Sequence, residues 1–371
     1  ATSAGKLCLD TPQELAAVAD YGYAVFHLSA VTVKVACFIL QRSTIEELVN
    51  LLDETRKTYG KTEANYQVRQ LYQRRATNIY RVLQALAVAV LCMWISSPVI
   101  QRQGLKEGER PPPNPIWMPD NSPGYEIVYS VQSLCGSAAV QASMLIDTSF
   151  YKLTLMVTAE LQILNDNLAR LGRAAEAADR KGTAAKQDGK EVAVPAIKQT
   201  SAPVTEDNDQ LLNDQMVDNV RHHQAIIKCF DLLQSVITYS VSIVLLTNIL
   251  TVCFSIFVVY VLLQSDGGLK SASKTIIGIP SVLGETGMFC IFGQMVINQS
   301  ERLRSSAYSC GWPDADGRFK RALLILVLRT SQPLQFTVGK LIHLSNETFL
   351  QILNCSYTLI NVLYQFQGSK E

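Results

Sequence analysis

Charged residues are scarce in this sequence. Asp, Glu, Lys and Arg make up 18% of its 371 residues, whereas about 25% is usual for a soluble protein. The scarcity is local, because five windows contain almost no charge: 82–100, 128–146, 232–263, 276–297 and 349–366. Each approaches or exceeds the roughly 20 apolar residues with which a helix crosses about 30 Å of hydrocarbon. Five such windows are hard to place in a soluble enzyme and indicate a helical membrane protein with several spans.

Several chemical signatures are also missing. The nine cysteines form no CxxC pair and no Cys/His spacing of the zinc type, and most lie in apolar runs, where Cys acts as a small hydrophobic residue. The His222-His223 pair is predicted to lie on a solvated helix face rather than at a metal. A net charge of +1 gives the chain no overall electrostatic attraction to nucleic acid. We therefore expect no metal, no cofactor and no nucleic-acid partner.

The apolar pattern predicts six membrane crossings. The first, 17–41, contains Asp20, His27 and Lys34, which must face protein or a cavity rather than lipid. The third and fourth are too long for the bilayer alone, so their polar halves are expected to project into one aqueous phase. The remaining crossings are predicted to follow at 81–100 (ended by Pro98), 127–170, 217–263, 279–304 and 342–366.

Loop charge predicts the orientation. Loop 42–80 carries seven basic residues, and 165–228 and 301–340 are similarly rich, whereas 101–123 has three and 264–277 has two. The positive-inside rule makes the basic loops cytoplasmic, so both ends of the chain lie outside. Because nothing at the N-terminus resembles a signal peptide, we expect a further crossing upstream. The whole protein then has seven spans, with its N-terminus inside and its C-terminus outside.

The last crossing carries a polar stripe. Its six members recur at spacings of 4, 3, 4, 3 and 4, which keeps them on one face of a helix: Glu347, Gln351, Asn354, Thr358, Asn361 and Gln365. Polar side chains within the hydrocarbon region must bond to other protein groups or face water. The stripe therefore indicates either a polar seam between helices or a water-filled path lined by several subunits. Its length favours the path, because a seam needs only one or two such residues.

Specific residues resemble a known family. The stretch GMFCIFGQMVINQSERLRSSAYSCGW (287–312) and the stretch KRALLILVLRTSQPLQFTVGKLIHLSNETFLQILNCSYTLINVLYQF (320–366) are similar to the insect odorant receptor family. The resemblance in the second rests on its basic start, Pro333, Thr337-Val338-Gly339, Leu344-Ser345, Phe349 and Ser356-Tyr357-Thr358. The third span (YEIVYSVQSL, Asp147-Thr148 and LQILNDNLARL) is similar as well.

This resemblance implies an all-α, seven-span receptor of inverted topology that acts as a ligand-gated, non-selective cation channel. The match at 127–170 is of the odorant-tuned type, so it implies a heterotetramer with a co-receptor in the plasma membrane of olfactory neuron dendrites. Its partners would be that subunit, a small volatile odorant, membrane lipid and permeating cations. The last helix of each subunit lines the pore in this family, with Val362 and Leu363 at the constriction and Gln365 just outside it.

The resemblance also implies a pocket in the outer half of the bundle, between 17–41, 81–100, 127–146 and 279–292. An apolar pocket with aromatic walls and a few hydroxyls suits a small volatile ester, alcohol, ketone or aromatic. The expected wall residues are Tyr21, Tyr23, Phe26, Val90, Met93, Trp94, Tyr129, Gln132, Gly136, Val282, Thr286 and Met288.

The expected organisation follows the chain in five parts. Residues 1–165 hold the ligand-binding spans with the external Pro-rich loop 101–123. Residues 166–228 hold cytoplasmic helix ends and a disordered linker at 174–208. Two further spans (229–304), a cytoplasmic anchor segment (305–341) and the pore-lining helix with an external tail (342–371) complete it.

Three other functions are less well supported. A gustatory receptor channel usually ends in Thr-Tyr, five apolar residues and Gln-Phe, whereas here Ser356-Tyr357 is followed by seven residues before Gln365. A transporter is disfavoured because no inverted repeat or broken helix pair is visible. An enzyme is least supported, because no catalytic constellation is present.

Overall fold

The described residues form mostly long helices. The computed structural model describes residues 15–102, 124–187, 203–263, 268–310, 312–313, 315–339 and 342–368. In chain order these contain α1 (Leu15–Leu40), α2 (Arg42–Thr58), α3 (Glu63–Arg102), α4 (Gly124–Gln187), α5 (Pro203–Leu263), α6 (Gly268–Tyr308), α7 (Gly317–Arg329), β1 (Thr337–Val338), β2 (Ile342–His343) and α8 (Asn346–Gly368). The predicted all-α class is confirmed.

Each of the six predicted crossings falls mostly within one helix, but not all stand out by composition. In the described residues, three helices are long and apolar enough to cross a membrane, within α3, α5 and α6, and α1 with α2 makes a fourth if this pair, bent by 60°, counts as one span. The crossings predicted in α4 and α8 are not among them.

Several boundaries differ from the predictions. Residues 42–80 are mostly helical, since α2 and the first turns of α3 occupy them. Helix α3 also continues past Pro98 to Arg102, as neighbouring groups allow in membrane helices. The predicted linker 174–208 is helical at both ends, to Gln187 and from Pro203. Its centre, 188–202, and residues 103–123 of the Pro-rich loop lie outside the described residues.

The last helix begins at Asn346 rather than at 342. The residues before it pair as a two-stranded antiparallel hairpin, with Thr337 opposite His343 and Val338 opposite Ile342. Gly339 starts the turn with a φ of 60°, a conformation that favours glycine. Hairpin pairing therefore removes the first four residues from the predicted helix.

A closely packed core extends beyond the charge-poor windows, on the side that loop charge makes cytoplasmic. Leu48 of α2, Leu164 of α4, Met216 of α5 and Leu303 of α6 are all completely buried. The windows themselves expose large apolar side chains, including Leu134 at 73%, as expected where lipid is the solvent. The long helix ends thus form a protein-like core outside the bilayer.

An ion cluster ties this core together. Glu160 of α4 is fully buried and lies about 21 Å along the helix from residue 146. Its carboxylate accepts hydrogen bonds from Arg69 of α3 (2.8 and 2.9 Å) and Arg56 of α2 (3.3 Å), and lies 3.3 Å from His222 Nε2 of α5. Burial alone would raise the Glu160 pKa, but the hydrogen bonds from His222 and Arg69 and their charges lower it to about 2.

The predicted solvated face at His222 and His223 is wrong. The two residues are only 1% and 5% exposed. His222 stacks on Tyr59, with 5.0 Å between ring centroids, besides facing Glu160. Burial, followed by the positive charges of Arg329 and His222, lowers the pKa of His223 to about 4. Both rings therefore belong to the core, and the described residues contain no group of three or more potential metal ligands.

Candidate functional site

The polar stripe lies on the exposed side of α8. Glu347, Gln351, Asn354, Thr358 and Asn361 are all exposed, and so is Gln365. The hydrogen bonds that the stripe makes include two within α8, from Gln351 to Glu347 (3.5 Å) and from Thr358 to the Asn354 carbonyl (2.9 Å). The stripe is therefore not buried in a seam within its own chain, and it is available to water or to another subunit.

Val362 and Leu363 cannot both face the same way as the stripe. Successive residues of an α-helix are about 100° apart, which places Val362 roughly 60° from the centre of the stripe and Leu363 almost opposite it. Val362 is 41% exposed, whereas the Leu363 side chain lies outside the described residues. Val362 is thus the better candidate for a constriction beside the polar face.

A close contact fixes the base of α8 on α6. A Cβ at Gly293 would overlap the carbonyl oxygen of Leu344 and come within 2.6 Å of the Leu344 Cβ. Only glycine permits this approach. The Asn346 N–H also donates to Gln294 Oε1 (3.2 Å), and the Thr348 N–H donates to Ser345 Oγ (3.3 Å). These bonds satisfy two of the free N–H groups at the start of the helix.

The hairpin before α8 is fixed to α5. Gln234 Oε1 accepts from the Thr337 N–H (3.0 Å), and Gln234 Nε2 donates to the Thr337 carbonyl (2.6 Å). Phe336 stacks on Phe230 at 4.7 Å, and its carbonyl accepts from the Leu344 N–H (2.9 Å). The start of α8 is therefore held by contacts to both α5 and α6.

A charge cluster lies inside the bundle. Lys34 of α1 is 4% exposed, and its Nζ lies 2.9 Å from Asp147 Oδ2 of α4, 2.6 Å from Glu285 Oε1 of α6 and 2.9 Å from Ser143 Oγ. The expectation that Lys34 faces protein is confirmed. One lysine thus joins three helices through two carboxylates.

Hydrogen bonds connect the Lys34 cluster to Thr286, one of the predicted pocket residues. Asn248 Nδ2 of α5 donates to Glu285 Oε2 (3.4 Å) and to Thr286 Oγ1 (3.2 Å). Asp147 Oδ1 is buried without a hydrogen-bond partner in the described part of the chain. Sequence reasoning identified neither Asp147 nor Glu285 as a partner of Lys34, although each is an isolated acid in or beside an apolar run.

The other predicted pocket residues are scattered. Val282 is buried beside Val252 and Ile256, and Met288, Gln132 and Gly136 are half-buried. Tyr129 donates from its hydroxyl to the Ile95 carbonyl (2.7 Å), which joins α4 to α3. In contrast, Val90 and Met93 are 52% and 57% exposed. The side chains of Tyr21, Tyr23, Phe26 and Trp94, like those of Asp20 and His27, lie outside the described residues.

Two shallow, open clefts stand out in the described part of the chain, and no predicted pocket residue lines either. One, of about 430 Å³, follows a face of α3 from Gln70 to Arg81. The other, of about 330 Å³, lies between Tyr59, Asn167 and His222. Both are at the cytoplasmic end that loop charge predicts. The predicted ligand-binding set therefore stays a prediction.

Comparisons with known proteins agree with one another. A family model described as "7tm Odorant receptor" matches residues 16–357. Odorant receptor 10 of Aedes albopictus is 27% identical over 149 residues, which cover 40% of this chain and 39% of that protein. Odorant receptor 2a of Drosophila melanogaster is 35% identical over 89 residues, covering 24% and 22%. The chain thus matches well under half the length of these curated relatives.

A solved structure has the same fold over most of its length. The insect olfactory receptor OR5 from Machilis hrabei, in complex with eugenol, superposes with a TM-score of 0.73 over 98% of this chain and 85% of that chain, at 17% sequence identity. A second structure of the same receptor gives a TM-score of 0.75 at 16% identity. At this identity the likeness establishes the fold.

Proposed function

The chain belongs to the 7tm odorant receptor family, and from this premise we propose that it is an odorant-tuned subunit of a ligand-gated, non-selective cation channel. It assembles with a co-receptor subunit into a tetramer in the plasma membrane, in the dendrites of olfactory sensory neurons. It is a membrane receptor and not an enzyme. Small volatile hydrophobic odorants open the channel.

The exposed polar face of α8 carries this proposal. Five exposed amide, hydroxyl and carboxylate side chains, from Glu347 to Asn361, follow one face of a helix that its own chain leaves open. Four such faces placed around a common axis would line a water-filled pore. Val362, beside each polar face, would form the narrow part of that pore. Because the stripe has no acid beyond Glu347, selectivity among cations should be weak.

The bundle suggests how ligand binding reaches the pore. Thr286 belongs to the predicted pocket and bonds to Asn248, one step from the cluster of Lys34, Asp147 and Glu285. Helix α6 carries Glu285 and Thr286 near its middle and contacts the base of α8 through Gly293, two turns further on. A ligand that shifts α6 by a small distance would therefore move the start of α8, which fits a two-state gate.

The residues of the predicted pocket indicate the class of ligand. The described pocket candidates are mostly apolar, with hydroxyls at Tyr129 and Thr286 and an amide at Gln132. The Machilis hrabei receptor is in complex with eugenol, a small molecule of this kind. We expect compounds of similar size with one or two polar groups to bind here.

Recording from cells tests the proposal directly. The chain is expressed with a co-receptor, and currents are measured under a panel of volatiles. Replacing Gln351 or Asn354 by Leu should change the reversal potential under asymmetric cations without changing the ligand concentration for half activation. Ile360→Leu is the matched control, because Ile360 is also exposed on α8 but points about 140° away from the stripe. Unchanged permeability in both stripe variants would identify the face as an intersubunit seam.

A further inference from the structure

The charged side chains in the first half of α3 are almost all positive. Between Ala64 and Arg102 the sequence contains no Asp or Glu, whereas Arg69, Arg74, Arg75 and Arg81 all precede the apolar window that begins at residue 82. Arg69 is engaged with Glu160, and the Arg75 guanidinium lies 5.3 Å above the ring of Tyr72. Arg74 and Arg81 make no ion pair with any described residue.

These two arginines line the larger of the two clefts. Its volume is about 430 Å³, and its six lining residues are spaced by three, one, three, one and three positions along one face of α3: Gln70, Gln73, Arg74, Thr77, Asn78 and Arg81. The lining holds two cations, three amides and a hydroxyl, with no acidic group. Such a surface offers a ligand rich in acceptor oxygens two positive charges and the N–H and O–H donors of its amides and hydroxyl, with no negative charge to oppose it.

The cleft lies at the border of the membrane. Directly after it, Val82 and Leu86 are 60% and 58% exposed, as lipid-facing residues are. Tyr80 is 38% exposed, in the place where aromatic side chains mark the interface. The headgroup layer is about 5–7 Å deep on each side, so Arg81 lies within it. The cleft extends from there toward the side that loop charge makes cytoplasmic.

We propose that this cleft binds the headgroup of a phosphoinositide in the cytoplasmic leaflet. Arg74 and Arg81 are two turns apart, about 10 Å along the helix. A phosphoinositide carries one phosphate next to its glycerol and further phosphates on a ring that stands out from the membrane, so its charges occupy two heights. Arg81 pairs with the first and Arg74 with a ring phosphate. The amides of Gln70, Gln73 and Asn78 bond the ring hydroxyls, and the acyl chains lie along Val82 and Leu86.

The site does not depend on the proposed channel function. It requires only that α3 crosses the membrane with its N-terminal half in the cytoplasm. Its test is therefore a binding measurement, which succeeds or fails whether or not odorants open a pore.

The test uses the full chain in mild detergent and a fluorescent, doubly phosphorylated phosphatidylinositol, with binding followed by anisotropy. Replacing both Arg74 and Arg81 by Gln should weaken binding by about 30-fold, and each single replacement by about fivefold. Arg75→Gln is the matched control, since it removes the same charge from the same helix outside the cleft, and it should change binding by less than about twofold. Thermal melts of all variants establish that they are folded.

Three results would overturn the proposal. The first is equal binding by the double variant, or by both single variants if the double variant does not fold. The second is equal binding of fluorescent phosphatidylserine, which would show unspecific attraction to anionic lipid. The third is displacement by soluble inositol trisphosphate at the affinity of the lipid itself, which would assign the cleft to a free phosphate compound instead.

Discussion

Gly293 of α6 lies directly against the carbonyl of Leu344, the residue two positions before α8. A side chain of even one carbon at Gly293 would overlap that carbonyl. The contact joins the helix that carries Thr286 to the residues just before the helix that carries the polar stripe, and a second contact lies nearer to Thr286, where a Cβ at Gly287 would come within 3.1 Å of the Phe349 ring.

Gly293→Ala should therefore separate α6 from the base of α8. Forcing a methyl group into a packed contact costs about 1–3 kcal/mol, so we expect a lower melting temperature and weaker ligand-evoked currents. Gly284→Ala is the matched control, because a Cβ at Gly284 meets nothing within 4 Å and alanine favours the helix. Fluorescence-detected thermal unfolding and whole-cell recording measure both. Wild-type stability and currents for Gly293→Ala would show that the helices separate there at no cost.

The cluster around Lys34 should be needed for folding. Lys34→Met leaves the buried Asp147 and the half-buried Glu285 without this cation, and breaking a buried ion pair costs about 3–5 kcal/mol. Surface expression should fall strongly. Adding Asp147→Asn and Glu285→Gln to Lys34→Met should restore part of it, because no buried charge then remains.

Lys152→Met provides the control for that experiment. Lys152 is exposed on α4, one and a half turns from Asp147, so its loss should leave surface expression unchanged. If Lys34→Met also reaches the surface normally, the cluster is not buried as described.

Stability should fall in mild acid because of His223. Burial and the charges of Arg329 and His222 lower the pKa of His223 to about 4 in the folded chain, whereas its ordinary value is near 6.5. Between pH 6.5 and pH 4 the unfolded chain therefore binds a proton that the folded chain does not. The contribution is present above pH 6.5 and is lost as the pH falls toward 4. At pH 5 the loss is about 2 kcal/mol.

Melting temperatures at pH 7.5 and pH 5 measure this loss. His223→Phe should reduce the difference between the two, whereas His343→Gln, at an exposed position of β2, should not. Glu160 contributes in a lower range, because its pKa is lowered to about 2: its stabilisation is present above about 4.5 and is lost as the pH falls through 2. An unchanged pH dependence in His223→Phe would contradict a buried neutral ring.

Val362 should control the constriction. Replacement by Gln places a longer polar side chain beside the stripe, and we expect altered leak current or ion permeability. Val362→Ala should leave ligand sensitivity largely intact, because the ligand pocket is predicted in another part of the bundle. Concentration–response curves and reversal potentials separate the two effects. A large change in ligand sensitivity with normal permeability would move Val362 from the pore to the gating machinery.

The sequence predicted the helices well because apolar windows and the stripe on α8 are local patterns. It also placed Lys34 against protein, since a lysine in an apolar run has no favourable position in lipid. The partners Asp147 and Glu285 could not be predicted, because they are 113 and 251 residues away from Lys34 and only tertiary packing brings them together. For the same reason the burial of His222 and His223 could not be predicted: charged neighbours along the helix indicated solvent, but α2, α4 and α7 pack against α5.

The most direct test of the account is a density map of the chain assembled with its co-receptor. We predict that four α8 helices, or their equivalents in the partner subunit, meet on one axis, with Gln351, Asn354 and Thr358 facing it and Val362 near its narrowest point. A map in which the polar face of α8 packs against a neighbouring helix or faces lipid, away from any common axis, would contradict the account.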